Sequence, residues 1–205
     1  MNNFYKIQKE VKEIANRKVV IVAVTKNRSI DEINELIEAG VTDIGENRWQ
    51  EAKNKLKNIS ADITKHFIGR LQTNKVRDVV AYFDMIQSVD SFKLAKKISD
   101  ECAKIDKTMP ILIQVNTSNE PQKGGVSPED VEKLIEHISK LPNIQIQGLM
   151  TIGLSGDRGC FQALKQLFDT IKIPMKYLSM GMSSDYQIAI EEGANMVRIG
   201  RKLFE

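Results

Sequence analysis

VVIVAVTKNRSIDEINELIEAGVTDIGEN, residues 19–47, holds the pattern that decides the fold. Val19–Val24 is an unbroken apolar run, which reads as a strand of a parallel sheet buried on both faces. Ile30–Ala39 then places apolar side chains at Ile30, Ile33, Leu36 and Ile37, the spacing of a helix, and Gly40 follows as its C-terminal cap. Thr42–Gly45 is a second short strand. Strand, helix and strand in this order make the βα rhythm of an α/β protein.

The rhythm continues to the end of the chain. Further strands are expected at Lys65–Ile68, Met85–Val89, Ile111–Asn116, Ile144–Met150, Tyr177–Met180 and Met196–Ile199, with helices between them. Ser91 is the expected N-cap of a helix reaching Ile105, and Ser127 with Pro128 opens a helix that runs to Ser139. Eight strands alternating with helices in 205 residues predict a closed (β/α)8 barrel of the TIM type. The open doubly wound alternative commonly uses five or six strands. The last strand leaves only a stub of helix, so the opening helix, Asn3–Asn16, is expected to cover the barrel where an eighth helix is missing.

Composition narrows the function classes. Hydrophobic residues make up 41% and charged residues 28%, which excludes a disordered or collagenous chain. No segment reads as a linker, so residues 1–205 are expected to form one domain. Thirty Lys+Arg against 27 Asp+Glu leave a net charge of +3, which makes no case for nucleic acid or a membrane surface as partner. There is no apolar stretch of transmembrane length and no signal-peptide pattern, so the cytoplasm is the expected location. Cys102 and Cys160 lie in no metal-ligand spacing and cannot build a disulfide framework, and His66 and His137 are too few for an all-nitrogen zinc site.

In a (β/α)8 barrel the chemistry sits at the C-terminal ends of the strands. Those ends collect Thr25-Lys26, Gly45-Glu46-Asn47, Ile68-Gly69 with His66 inside the strand, Asn116-Thr117, Met150-Thr151, the run Ser179–Ser184, and Arg198 with Gly200. Lys26 either snorkels to the rim or points into the barrel mouth. Inside the mouth, desolvation would favour a neutral amine, a nucleophile toward a carbonyl. SMGMSSD (179–185) offers Gly181 for a close backbone approach and the hydroxyls of Ser183 and Ser184 ahead of a helix over Asp185–Glu192. It is either a phosphate cup or plain helix N-capping. RIGR (198–201) adds the backbone N–H of Gly200. A lysine suited to a Schiff base and a phosphate cup on one barrel face together point toward pyridoxal phosphate.

AVTK (23–26), DIGENRWQE (43–51), HFIGRLQTNK (66–75), LIQVNTSNEPQKGGV (112–126), GLMTIG (148–153), LSMGMSSD (178–185) and VRIG (197–200) occur in that order across nearly the whole chain. In these segments the chain resembles the pyridoxal 5′-phosphate homeostasis proteins, the YggS/PROSC family, which are similar to the isolated barrel domain of alanine racemase. The resemblance implies a fold-type III pyridoxal phosphate protein. It implies Lys26 as the Schiff-base lysine, Asn47 beside the cofactor, Ser183 and the backbone around Gly200 on the phosphate, and Arg198 facing the pyridine nitrogen. It further implies storage, buffering or delivery of pyridoxal phosphate, with pyridoxal phosphate-dependent apo-enzymes as partners. The chain is then expected to be a monomer and not an enzyme. A racemase-like fold-type III enzyme is the alternative, and a barrel using Lys26 on a sugar phosphate is a third reading.

Two features depart from the family pattern. Arg201 stands where Thr or Ser usually follows RIG, and the chain is short between GLMTIG and LSMGMSSD, which predicts a trimmed helix there. Arg198 bears on activity: two unit charges about 4 Å apart at an effective dielectric near 20 repel by roughly 4 kcal/mol, which opposes protonation of the ring nitrogen. In alanine racemase, the resemblance implies, a tyrosine from another domain supplies a second base. Of Tyr5, Tyr82, Tyr177 and Tyr186, none lies in a matching motif. Among the remaining residues, His66 reads as a satisfied strand histidine, Lys123 as a rim lysine, and Asn74-Lys75 as solvated surface. Trp49 is expected to pack on the second helix, and Met180 and Met182 either line the cofactor or fill the core.

Overall fold

The apolar runs pair in chain order. In the computed structural model, which describes residues 3–59, 62–118, 120 and 123–205, eight parallel strands form a closed barrel in which the last pairs with the first. They are β1 (Val20–Val24), β2 (Asp43–Glu46), β3 (Thr64–Phe67), β4 (Met85–Val89), β5 (Met109–Gln114), β6 (Ile144–Met150), β7 (Tyr177–Ser179) and β8 (Met196–Ile199). Residues 119, 121 and 122 of the LIQVNTSNEPQKGGV segment lie outside the described residues. β5 stops short of Asn116 because the chain there pairs with its own returning loop: Asn116 N donates to Val126 O at 2.9 Å.

Alternation along each strand sorts the residues between two faces. Val22, Met85, Leu112, Met150 and Met196 form a separate inner cluster, while Ala23, Ile44, Phe67, Ile86, Ile111 and Val197 join the larger core beneath the helices. Register places Arg198 opposite Val22 and His66 opposite Gly45, so both polar side chains enter the barrel with the inner set.

The opening helix, α1 (Phe4–Ile14), buries Phe4, Ile7 and Val11. It fills the place of a missing eighth helix. Asn3 N donates to Leu203 O, and Glu10 accepts from the Tyr186 hydroxyl. Arg17, just beyond it, donates to the carbonyls of Ile190 and Ala194. α2 (Ile30–Glu38) starts in a capping box between Ser29 and Glu32 and ends at Gly40, whose φ of +97° suits glycine. α3 (Trp49–Leu56), α4 (Val76–Tyr82) and α5 (Phe92–Ala103) follow, the last capped by Ser91 as expected. Trp49 itself opens α3, and its ring lies 5.1 Å from that of Tyr82 at the end of α4.

One helix start differs from expectation. Pro128–Asp130 forms a 3-10 turn ahead of α6 (Val131–Ile138), and the Ser127 hydroxyl donates to Asp130 Oδ2 instead of capping backbone N–H groups. α7 (Arg158–Thr170) lies between β6 and β7 and has 13 residues, more than any other described helix. α8 (Tyr186–Glu191) and the stub α9 (Arg201–Phe204) complete the ring. No helix among the described residues is long and apolar enough to cross a membrane. Cys102 and Cys160 are free and buried, and the described residues contain no metal-binding cluster.

Candidate functional site

A cavity of about 220 Å³ opens at the C-terminal ends of the strands. Lys26, Asn47, Ser183, Arg198 and Gly200 all line it, with Val24, Ile68, Ile152, Met182, Ser184 and Arg201 around them. The five residues named from the sequence therefore converge on one site.

Lys26 stands on the turn that follows β1. Its carbonyl neighbour Thr25 O accepts from Lys55 Nζ at 2.9 Å, and the Thr25 hydroxyl donates to Glu46 Oε1 at 2.6 Å. Lys55 Nζ also reaches Glu46 Oε1 at 3.1 Å and Glu51 Oε1 at 2.7 Å, and Glu51 in turn accepts from Asn27 N. The turn is thus braced on both sides of the lysine. Burial raises the Glu46 carboxyl above its usual range, with Thr25 and Lys55 opposing. Lys26 itself is exposed and lines the cavity, so it stands at the rim of the mouth.

Asn47 follows β2, with its backbone pressed against Gly69, where a Cβ would come within 2.1 Å of Asn47 O. Its side-chain Oδ1 is buried and has no hydrogen-bond partner among the described residues. An orphaned acceptor beside a cavity is an invitation to a ligand donor, since an unpaired buried polar atom is costly.

After β7 the chain turns at Gly181, where φ is +89°. Buried Asp185 staples the loop, accepting from Met182 N at 2.6 Å and from Gly156 N at 3.1 Å. Ser183 Oγ accepts from Gly200 N at 3.1 Å and, more weakly, from Lys202 N at 3.5 Å. Neither serine caps α8; the Ser183 hydroxyl instead meets backbone N–H groups at the start of α9. Ser184 is paired with Ser155 across the loop, at 2.9 Å.

Arg198 is buried at the base of the cavity. Its Nη1 donates to Ser179 Oγ at 2.6 Å and its Nη2 to Thr151 O at 2.7 Å. Burial lowers its pKa to about 10, with Asp185 opposing, so it remains a cation at neutral pH.

The other candidates separate. Met182 lines the cavity and Met180 belongs to the core. Arg201 lines the cavity and is exposed. Lys123 pairs with Glu120 at 2.6 Å, away from this cavity. His66 is bonded through both ring nitrogens, to Asp43 at 2.9 Å and Gln87 at 3.0 Å. None of the four tyrosines lines the cavity, and Tyr186 spends its hydroxyl on Glu10. Sequence reading missed Lys55, Glu51 and Gln87. Only Glu51 and Lys55 carried a signal, their i,i+4 spacing on one helix.

The family model for the alanine racemase N-terminal domain matches residues 2–205. A protein of Aquifex aeolicus named pyridoxal phosphate homeostasis protein is 41% identical over 182 residues, covering 84% of this chain and 80% of its own. The structure of PipY from Synechococcus elongatus, solved without PLP, superposes with a TM-score of 0.88 at 33% identity and covers 98% of this chain and 99% of that one. The same protein with PLP bound gives 0.86 at 32% identity, with the same coverage. An alanine racemase of Clostridium difficile shares the fold, with a TM-score of 0.79 at 18% identity over 98% of this chain and 59% of that one.

Proposed function

The chain belongs to the alanine racemase N-terminal domain family and, within it, to the pyridoxal phosphate homeostasis proteins, and from that premise we propose that it binds pyridoxal 5′-phosphate at the barrel mouth to store, buffer or deliver it, without strong catalytic activity. The observation that carries this reading is the convergence of an amine, a buried orphan acceptor, the Ser183 hydroxyl with the Gly200 N–H, and a buried cation on one cavity.

Pyridoxal phosphate brings an aldehyde that condenses with an amine, a phosphate, and a pyridine ring. Lys26 is the amine that would hold it as a Schiff base, on a turn braced by Lys55 and Glu51. Gly200 N–H, with Ser183 Oγ rotated from acceptor to donor, would hold the phosphate. Asn47 Oδ1 would gain its missing donor. Arg198, fixed by Ser179 and Thr151, would present positive charge to the ring nitrogen and keep it unprotonated. A ring without that proton is a weak electron sink but does not by itself exclude a racemase-like enzyme; what supports the carrier reading is that none of the four tyrosines lines the cavity to act as a second base.

PLP-dependent apo-enzymes are the recipients this reading names, and a monomer is the state it favours, because α1 completes the helical ring from the chain's own residues. Incubation with pyridoxal phosphate, removal of free ligand and assay of amino-acid turnover test the function. Retained ligand that activates an added apo-enzyme, without turnover, is the expected result. Racemisation or transamination at ordinary enzyme rates, about 1–1000 per second, would overturn it.

A further inference from the structure

Five side chains join in a single hydrogen-bonded line through the inside of the barrel. Arg198 Nη1 donates to Ser179 Oγ at 2.6 Å, and Ser179 Oγ donates to Gln87 Oε1 at 2.7 Å. Gln87 Nε2 lies 3.0 Å from His66 Nδ1, and His66 Nε2 lies 2.9 Å from Asp43 Oδ1. His66, Gln87, Ser179 and Arg198 are 1%, 0%, 0% and 4% exposed, so water does not complete these bonds. Five strands contribute to the line: β2, β3, β4, β7 and β8.

The two ends dictate the direction of everything between them. A guanidinium only donates and a carboxylate only accepts. Ser179 must therefore pass its proton on to Gln87, Gln87 must turn its carbonyl to Ser179 and its amide to the imidazole, and the imidazole must donate to Asp43. That order is satisfied only by a neutral His66 carrying its proton on Nε2, with a bare Nδ1 as acceptor. A proton on Nδ1 would turn the Gln87 amide round and leave the buried Ser179 hydroxyl without an acceptor.

We propose that His66 is a positioning residue for the mouth of the barrel: through Gln87 and Ser179 it fixes the guanidinium of Arg198, although it lines no part of the cavity. The direction of the line stands on this structure alone. Its effect on ligand rests on the pyridoxal phosphate reading.

Nitrogen-15 NMR of histidine-labelled protein tests both parts. His137→Gln leaves His66 as the only imidazole. Without ligand near neutral pH, His66 is expected as the neutral Nε2–H tautomer with Nδ1 unprotonated. Adding pyridoxal phosphate is expected to shift the Nδ1 resonance. In Ser179→Ala the ligand-free tautomer should persist, the ligand-induced shift should vanish, and affinity should fall about 3- to 10-fold, the scale of one hydrogen bond. Gln87→Glu should place acceptors toward both neighbours and so protonate both nitrogens of His66, which a merely space-filling histidine would not do. An Nδ1–H tautomer or an imidazolium in the ligand-free protein would overturn the line. A ligand-induced shift that survives Ser179→Ala, or bound ligand that leaves His66 unmoved, would overturn the positioning role. Failure to bind pyridoxal phosphate at all would instead strike the proposed function, while the tautomer still tests the line.

Discussion

Arg198 enters the barrel from β8 with a guanidinium almost wholly withdrawn from water, and two protein acceptors hold it there. Arg198→Met should therefore destabilise the ligand-free protein by roughly 2–4 kcal/mol, because Ser179 and Thr151 each lose a donor while a buried charge is relieved. Urea unfolding measures this, and an unchanged midpoint would contradict the geometry. Ser183→Ala removes the group that meets Gly200 N–H and should weaken pyridoxal phosphate retention by about 1–2 kcal/mol, the scale of a charge-assisted hydrogen bond. Equal affinity in titration would mean the loop plays no part in binding. At this scale the strand ends supplied a longer list of residues, and the resemblance to the family's motifs singled out the five mouth residues within it. Gln87 was not legible, and Ser179 entered only as the start of the run Ser179–Ser184, since their partners lie on strands far away in sequence and no spacing announces a contact across a barrel.

The elements that aim these residues carry their own tests. Gly181 turns the chain between β7 and α8 at positive φ, and a Cβ there would stand 2.5 Å from Ala189 Cβ. Gly181→Ala should cost about 1–3 kcal/mol through backbone strain and displace Ser183, so both the thermal midpoint and ligand retention should fall together. Wild-type values in both would show that the turn tolerates a side chain. Helix existence was readable from apolar spacing, as α2 shows, and from a capping serine, as α5 shows. Helix starts were less so: Ser127 found Asp130 before it found a backbone N–H, a competition between side chain and main chain that sequence does not rank.

For the whole molecule, closure was legible because eight apolar runs alternate with helical stretches, and closure is what lets a carboxylate at one end of the barrel communicate with a cation at the other. Burial pushes the Asp43 carboxyl up, but hydrogen bonds from His66 and Thr42 outweigh it, and its pKa lies below the ordinary value. A carboxyl lowered on folding contributes stability that is complete above its unfolded pKa, about 3.9, and is lost as pH falls through the folded value. Asp43→Asn should therefore lower the urea midpoint at pH near 7 by more than at pH near 3, and equal losses at the two values would contradict the sign. The central claim is that the mouth of this barrel holds pyridoxal phosphate on Lys26. Borohydride reduction of protein loaded with pyridoxal phosphate, followed by peptide mass mapping, tests it most directly. The account predicts a pyridoxyl group on Lys26, absent in Lys26→Ala although that variant still binds ligand weakly through Ser183 and Gly200. A pyridoxyl group found only on Lys75 or Lys123 would contradict it.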